Sequence, residues 1–250
     1  MPKPSPKADH STARRPLPAV AIFARAISPG AVKTRLIPLL GAPGAAEFHS
    51  ALISDAVRKV NRVAKQASRY FFLAGRKFPP SLAGFRRQRQ RGKDLGVRLE
   101  LAFQLLFRRH TAAVIIGTDS PELPPKVLVR ALRELRSCDA VLGPCPDGGY
   151  YLIGMRRQES RRLSGVFRDV RWGSSFAFRD TLESFLRRGF ICSILDHCPD
   201  VDRPEDFRRL RRSMERSGAA RLAAPAVWRF MKQFRPRGKG PTRRGRNGER

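Results

Sequence analysis

Four short segments of this 250-residue chain carry residue types that can do chemistry. In the first, Phe23-Ala-Arg-Ala-Ile-Ser-Pro-Gly-Ala-Val-Lys-Thr-Arg-Leu36, a turn at Pro29-Gly30 leads into Lys33, Thr34 and Arg35, with Arg25 just upstream. Cationic side chains and free backbone N–H groups in one short loop suit a phosphate, whose oxygens match the guanidinium fork. The segment is not a P-loop, because Val32 precedes Lys33 and no Gly stands at the spacing of GxxxxGK[ST]. In the second, Val114-Ile-Ile-Gly-Thr-Asp-Ser-Pro121, an apolar run ends abruptly in Asp119. Hard cations such as Mg²⁺ and Mn²⁺ take carboxylate oxygens and carry them to diphosphates, so Asp119 is the first candidate metal ligand. A helix cap is the simpler use of the same residue.

The third segment, Gly143-Pro-Cys-Pro-Asp-Gly-Gly-Tyr-Tyr151, sets Asp147 beside Gly148, Gly149 and Tyr150. Two glycines allow a backbone to approach a ligand closely, and they equally suit a hairpin turn. In the fourth, Asp200-Val-Asp-Arg-Pro-Glu-Asp206, Glu205 and Asp206 read as acidic residues opening a helix. Asp202 is the candidate second metal ligand.

Positioning these segments takes strands that end beside one another. From Pro16 onward, short apolar runs alternate with longer amphipathic ones, which is the pattern of an α/β sheet with crossover helices. Strands are expected at Ala19–Arg25, Tyr70–Gly75, Ala112–Asp119, Asp139–Pro144, Tyr150–Met155 and Phe190–Leu195. Helices are expected at Ala45–Val63, Leu95–Phe107, Pro125–Leu135 and Ser174–Arg187, with a short helix beginning at Pro225 and packed on the domain. Each candidate segment then follows a strand, and open α/β sheets bind ligands at that edge. The expected organisation is a basic disordered tail over 1–16, one domain over 17–212 and a basic extension over 213–250, disordered from about 235.

The net charge is +30, with 51 Lys and Arg against 21 Asp and Glu, and 41 of the 51 are Arg. A field of that size attracts nucleotides, nucleic acid and anionic lipid alike. No helix-turn-helix, zinc-finger or aromatic RNP pattern accompanies it, so no specific nucleic acid is expected; the basic tail is expected to associate weakly with anionic surfaces. The longest stretch without a charged residue, Leu36 to Ala46, spans 11 residues and holds two Pro and two Gly, so no membrane-spanning helix is expected. The N-terminus lacks the layout of a cleaved signal peptide, which makes a cytoplasmic location the expectation. Cys138, Cys145, Cys192 and Cys198 have neither CxxC nor Cys/His metal spacing and are expected as reduced thiols.

Taken in order, the blocks Phe23 to Leu36, Gln90 to Leu99, Gly117 to Leu123, Gly143 to Gly154, Trp172 to Ser174 and Asp200 to Asp206 resemble the radical-SAM/selenodomain-associated transferase 1 family, whose members look like GT-A glycosyltransferases. The resemblance runs from about Val20 to Leu210. Val97 stands where that family usually has Glu, Ser174 where it has Thr, and Arg25 where it has Lys. It implies a three-layer α/β/α nucleotide-diphospho-sugar transferase fold with a mostly parallel sheet. It also implies a metal-dependent glycosyltransferase moving a sugar from a nucleotide sugar to a small-molecule acceptor. In that reading Asp119 and Asp202 hold Mg²⁺ or Mn²⁺. Arg25, Gly30, Lys33, Thr34 and Arg35 bind the nucleotide's phosphates. Asp147 and Asp94 are the catalytic candidates, with Gly148, Gly149 and Tyr150 at the sugar or acceptor. The same layout resembles nucleotidylyltransferases, which join an NTP to a phosphorylated small molecule. A non-catalytic anion-binding protein is the third reading, and the donor, acceptor and oligomeric state stay open.

Overall fold

The computed structural model describes residues 16–158 and 160–234. The expected tails, 1–16 but for its last residue and the stretch from 235, lie outside the described residues. Seven strands form one sheet in the order β3-β2-β1-β4-β6-β5-β7. They are β1 (Ala19–Arg25), β2 (Ser68–Ala74), β3 (Arg86–Arg89), β4 (Ala112–Ile116), β5 (Ala140–Pro144), β6 (Tyr150–Arg156) and β7 (Cys192–Ile194). All neighbours are parallel except those of β6, which runs antiparallel to both β4 and β5. A five-residue turn after β5 permits only that reversal, whereas the parallel neighbours need long crossovers.

Strand alternation sends two sets of side chains to opposite faces. Val20, Ile22, Phe71, Leu73, Val114 and Val141 pack with Ile53, Val57 and Val60 of α1 (Ile37–Asn61) and Leu128 of α3 (Lys126–Glu134). On the other face Ala21, Phe72, Ile115 and Ile153 meet Leu99, Phe103 and Leu106 of α2 (Leu95–Phe107). The same face takes Leu163 of α4 (Ser160–Leu163) and Phe185 of α5 (Ala177–Arg187). The expected three-layer α/β/α architecture is the one observed.

A further layer covers the outer side of α1. Phe48 and Leu52 pack with Phe207, Leu210 and Met214 of α6 (Pro204–Arg216) and Val227 and Met231 of α8 (Pro225–Gln233), next to the short α7 (Gly218–Ala223). Asp55, fully buried in α1, accepts the Ala226 and Val227 N–H groups at 3.0 and 2.9 Å and so caps α8. The boundary expected at 212/213 therefore falls inside α6, and residues to Phe234 pack on the domain because their apolar stripe completes the cover of α1.

α1 starts earlier than expected, at Ile37 rather than Ala45. Gly41, at φ 73° and ψ 163°, kinks it, and Pro43 falls in the first turn after the kink, where its missing N–H costs nothing. Counting the 3₁₀ turn Thr34–Leu36 before it, residues Thr34–Asn61 are long enough to cross a membrane and contain an 18-residue window with a mean hydropathy of 1.3. The expectation that no such helix exists was set by charge-free runs and overlooked that isolated charges can sit in a long apolar helix. Here the segment is a core element, because it buries Asp55 and Lys59 along with its apolar faces.

Candidate active site

β1 and β4 end side by side, and the loops leaving them meet the loop that leaves β7. Backbone bonds hold the β7 loop in place: the Val201 N–H donates to the Asp119 carbonyl in the β4 loop at 2.9 Å, and the Cys198 N–H to the Pro144 carbonyl at the end of β5 at 3.1 Å. At the end of the first loop Lys33 adopts the left-handed conformation, φ 47°, the one described non-glycine residue to do so. Such a conformation costs about 1 kcal/mol or more and persists where surrounding contacts enforce it.

Those contacts are on the side chain. The Lys33 side chain is 4% exposed, and its Nζ lies 2.8 Å from Asp119 Oδ1 and 3.4 Å from Asp202 Oδ1. It also donates to the Val201 carbonyl at 2.7 Å, so three acceptors meet its three protons. Burial alone would push the ammonium's pKa down, but the two carboxylates overcome this and raise it. Burial likewise works to raise Asp119, and the Lys33 charge and hydrogen bond outweigh it, holding that carboxyl below the usual range. Arg35 joins from the exposed side, with Nη1 3.1 Å from Asp202 Oδ2.

This cluster forms one wall of a cavity of about 380 Å³, within the range of small-molecule sites. Phe23, Arg25, His49, Gln90, Arg98 and Thr118 contribute to the other walls. Gln90 is fixed by donating to the Ala24 and Phe72 carbonyls, both at 3.1 Å. His49 was not singled out by its sequence, being one position inside the apolar stripe of α1. It is 4% exposed, with Nε2 3.1 Å from the Arg25 carbonyl. A carbonyl only accepts, so Nε2 carries the proton and Nδ1 is left as an acceptor, with no partner among the described residues. Burial pushes the imidazole's pKa down and keeps it neutral.

Of the residues expected at the site, Arg25, Lys33, Arg35, Asp119 and Asp202 are brought together. Gly30, at φ 80°, makes the turn, and the exposed Thr34 opens the 3₁₀ turn. Asp94 does not line the cavity, although its neighbour Leu95 does; its Oδ1 accepts the Val97 N–H at 2.8 Å and caps α2. Asp147 Oδ1 accepts the Gly149 N–H at 2.9 Å at an exposed turn. Asp200, named only as part of its segment, is the carboxylate Asp147 acts on: burial first, then the Asp147 charge, push its pKa up to about 6. Gly148, at φ 88°, has no room for a side chain, since a Cβ would lie 2.0 Å from the Ser175 carbonyl oxygen. Tyr150 packs edge-on against Trp172, centroids 6.2 Å apart, with burial raising its hydroxyl's pKa. Gly148 and Tyr150 thus serve packing against the 172–176 loop. Gly96 does the same for α2, a Cβ there falling 2.8 Å from Trp172 Nε1.

A family model described as "Uncharacterized protein conserved in bacteria (DUF2064)" matches residues 55–174. No curated protein sequence matches the chain. Among solved structures it is similar to a "putative nucleotide-diphospho-sugar transferase" from Desulfovibrio desulfuricans G20, at 28% identity and a TM-score of 0.69. That alignment covers 85% of this chain and 97% of the other. The fold is that of the nucleotide-diphospho-sugar transferases. A cytidylyltransferase from Leptospira borgpetersenii shares this fold at 12% identity and a TM-score of 0.54, over 87% of this chain and 94% of that one. So does CMP:2-keto-3-deoxy-manno-octonic acid synthetase complexed with CTP, at 14% identity and 0.51, over 80% and 99%.

Proposed function

We propose that this protein is a transferase that takes the sugar from a nucleotide sugar and passes it to a small-molecule acceptor. The observation that carries this reading is the buried Lys33 held by Asp119 and Asp202 on the wall of a cavity at the carboxyl edge of the sheet. The likeness to the structure from D. desulfuricans and the six ordered sequence blocks of the radical-SAM-associated transferase 1 family support it.

In this reading Lys33, Arg25 and Arg35 hold the diphosphate, with Lys33 exchanging its carboxylate partners for phosphate oxygens. The cavity wall from Phe23 to Gln90 and Arg98 takes the nucleoside. Two carboxylates converging on one cation are a donor set that suits Mg²⁺ or Mn²⁺ bound together with substrate phosphates. When bound between Asp119 and Asp202, such an ion would neutralise charge developing on the leaving diphosphate. A base must take the proton of an acceptor hydroxyl, and Asp147 is exposed for that role with Asp200 beside it.

Incubation with UDP-, GDP- and ADP-linked sugars plus Mg²⁺ is expected to release a nucleoside diphosphate. Lys33→Ala, which removes a charge-assisted contact worth about 1.5–3 kcal/mol, should lower that rate at least tenfold. Pyrophosphate released from an NTP, with every nucleotide sugar inert, would replace sugar transfer by nucleotidylyl transfer.

A further inference from the structure

A second cavity, about 500 Å³, lies on the far side of Arg98, where the edge strand β3 meets α2. Five arginines line it, Arg87, Arg89, Arg91, Arg98 and Arg108, and no acidic residue does. Phe72, Phe78, Leu101 and Leu105 supply an apolar surface between them. Arg89 is held by the Gly75 and Arg76 carbonyls and lies over the Phe78 ring at 4.6 Å. Arg98 Nε donates to the Gly92 carbonyl at 3.0 Å.

Some arginines elsewhere in the chain meet carboxylates, and many exposed ones do not; what sets this group apart is that five converge on one apolar recess. Arg130, Arg156, Arg171, Arg179, Arg209 and Arg211 each have a carboxylate within 3.1 Å. Among the described residues, none of the five around this cavity is in an ion pair. Charges on an edge strand discourage pairing with another sheet, which accounts for β3 itself. It does not account for Arg98 and Arg108, which reach the same cavity from α2 and its C-terminal cap. Uncompensated like charges around one apolar recess repel one another, and an anion relieves that repulsion.

We propose that this recess is a separate binding site for a small organic anion, a phosphate ester with an aromatic or acyl body. Guanidinium forks match the phosphate, and the Phe and Leu side chains cover the body. β3 stands three strands away from β4, roughly 14 Å at the usual strand spacing, so a ligand here sits apart from Asp119. Arg98 borders both cavities, so filling one changes the field in the other, and the effect on affinity is reciprocal. The site stands whether or not the first cavity takes a nucleotide sugar.

The test is calorimetric titration of phenyl phosphate and of inorganic phosphate, at fixed ionic strength, into wild type, the Arg87→Ala/Arg91→Ala double variant and Lys33→Ala. The expected result is saturable binding of phenyl phosphate at least tenfold tighter than phosphate. It should weaken at least tenfold in the double variant and stay within twofold in Lys33→Ala. Leu101→Gln should erase the preference for phenyl phosphate without changing phosphate affinity. Binding lost in Lys33→Ala and kept in the double variant would place the anion in the first cavity and overturn the proposal. So would the absence of saturable binding, or equal weak binding of both anions by all three proteins. Nucleotide-sugar titration of the same proteins reports on the transferase reading separately.

Discussion

A single buried lysine organises the candidate site, and the residues around it differ in how far their types reveal their use. Arg25 and Asp119 were legible because each stands at or just beyond the end of an apolar strand, and Lys33 and Asp202 because each lies in a charged loop that follows one. Asp94 and Tyr150 were not, since a carboxylate ahead of a helix and an aromatic ring in a strand look alike whether they touch substrate, cap or pack. His49 lay hidden for the opposite reason: the stripe through Phe48 and Leu52 explains its helix without it. Gly148 gives a sharp test of the packing role. Gly148→Ala must fit a Cβ against Ser175 in a left-handed backbone, and is expected to cost about 2–4 kcal/mol of stability. A denaturation midpoint unchanged from wild type would show that the turn does not rest on that loop.

Elements were legible where burial shaped them. β1 and α2 have the bounds expected, because both are apolar on the faces they bury. β3 was missed: its Arg-Arg-Gln-Arg carries no apolar alternation, and its place comes from backbone pairing with β2 at the sheet's edge. α4 and α7 are single turns or little more and leave no periodic trace. The loop that supports Gly148 is secured at its other end by Asp180, which accepts three N–H donors from Arg171 at 2.7–3.0 Å. Those bonds hold the Asp180 carboxyl down to about 2, against 3.8 for a free one. A depressed carboxylate contributes stability above the unfolded pKa and loses it as pH falls through the folded one. Between about pH 4 and 2 the wild type should therefore lose stability faster than Asp180→Asn. Urea midpoints measured against pH check this, and parallel curves would remove Asp180 from the account.

At the scale of the whole molecule, charge set the expected boundary at 212/213, while the apolar spacing of Val227, Phe230 and Met231 pointed to a short helix packed on the domain, which is the arrangement observed. Val227 and Met231 are fully or almost fully buried against α1. Ending the chain after Phe234 should leave the thermal midpoint within a few degrees of the full chain. Ending it after Arg216 uncovers Phe48 and Leu52, a loss of several buried side chains, and should lower the midpoint by roughly 10 °C or more. Equal midpoints for the two truncations would make α8 an ornament. The net charge of +30, spread over body and tails, favours encounter with any polyanion, so affinity alone says little about what the site is for. The decisive measurement is calorimetric titration of nucleotide sugars with Mg²⁺ into wild type and Asp119→Asn, both with native far-UV spectra. Asp119 and Lys33 together hold the diphosphate end in this account, so one nucleotide sugar should bind wild type and bind the variant at least tenfold more weakly. Equal affinity in the two proteins would contradict it.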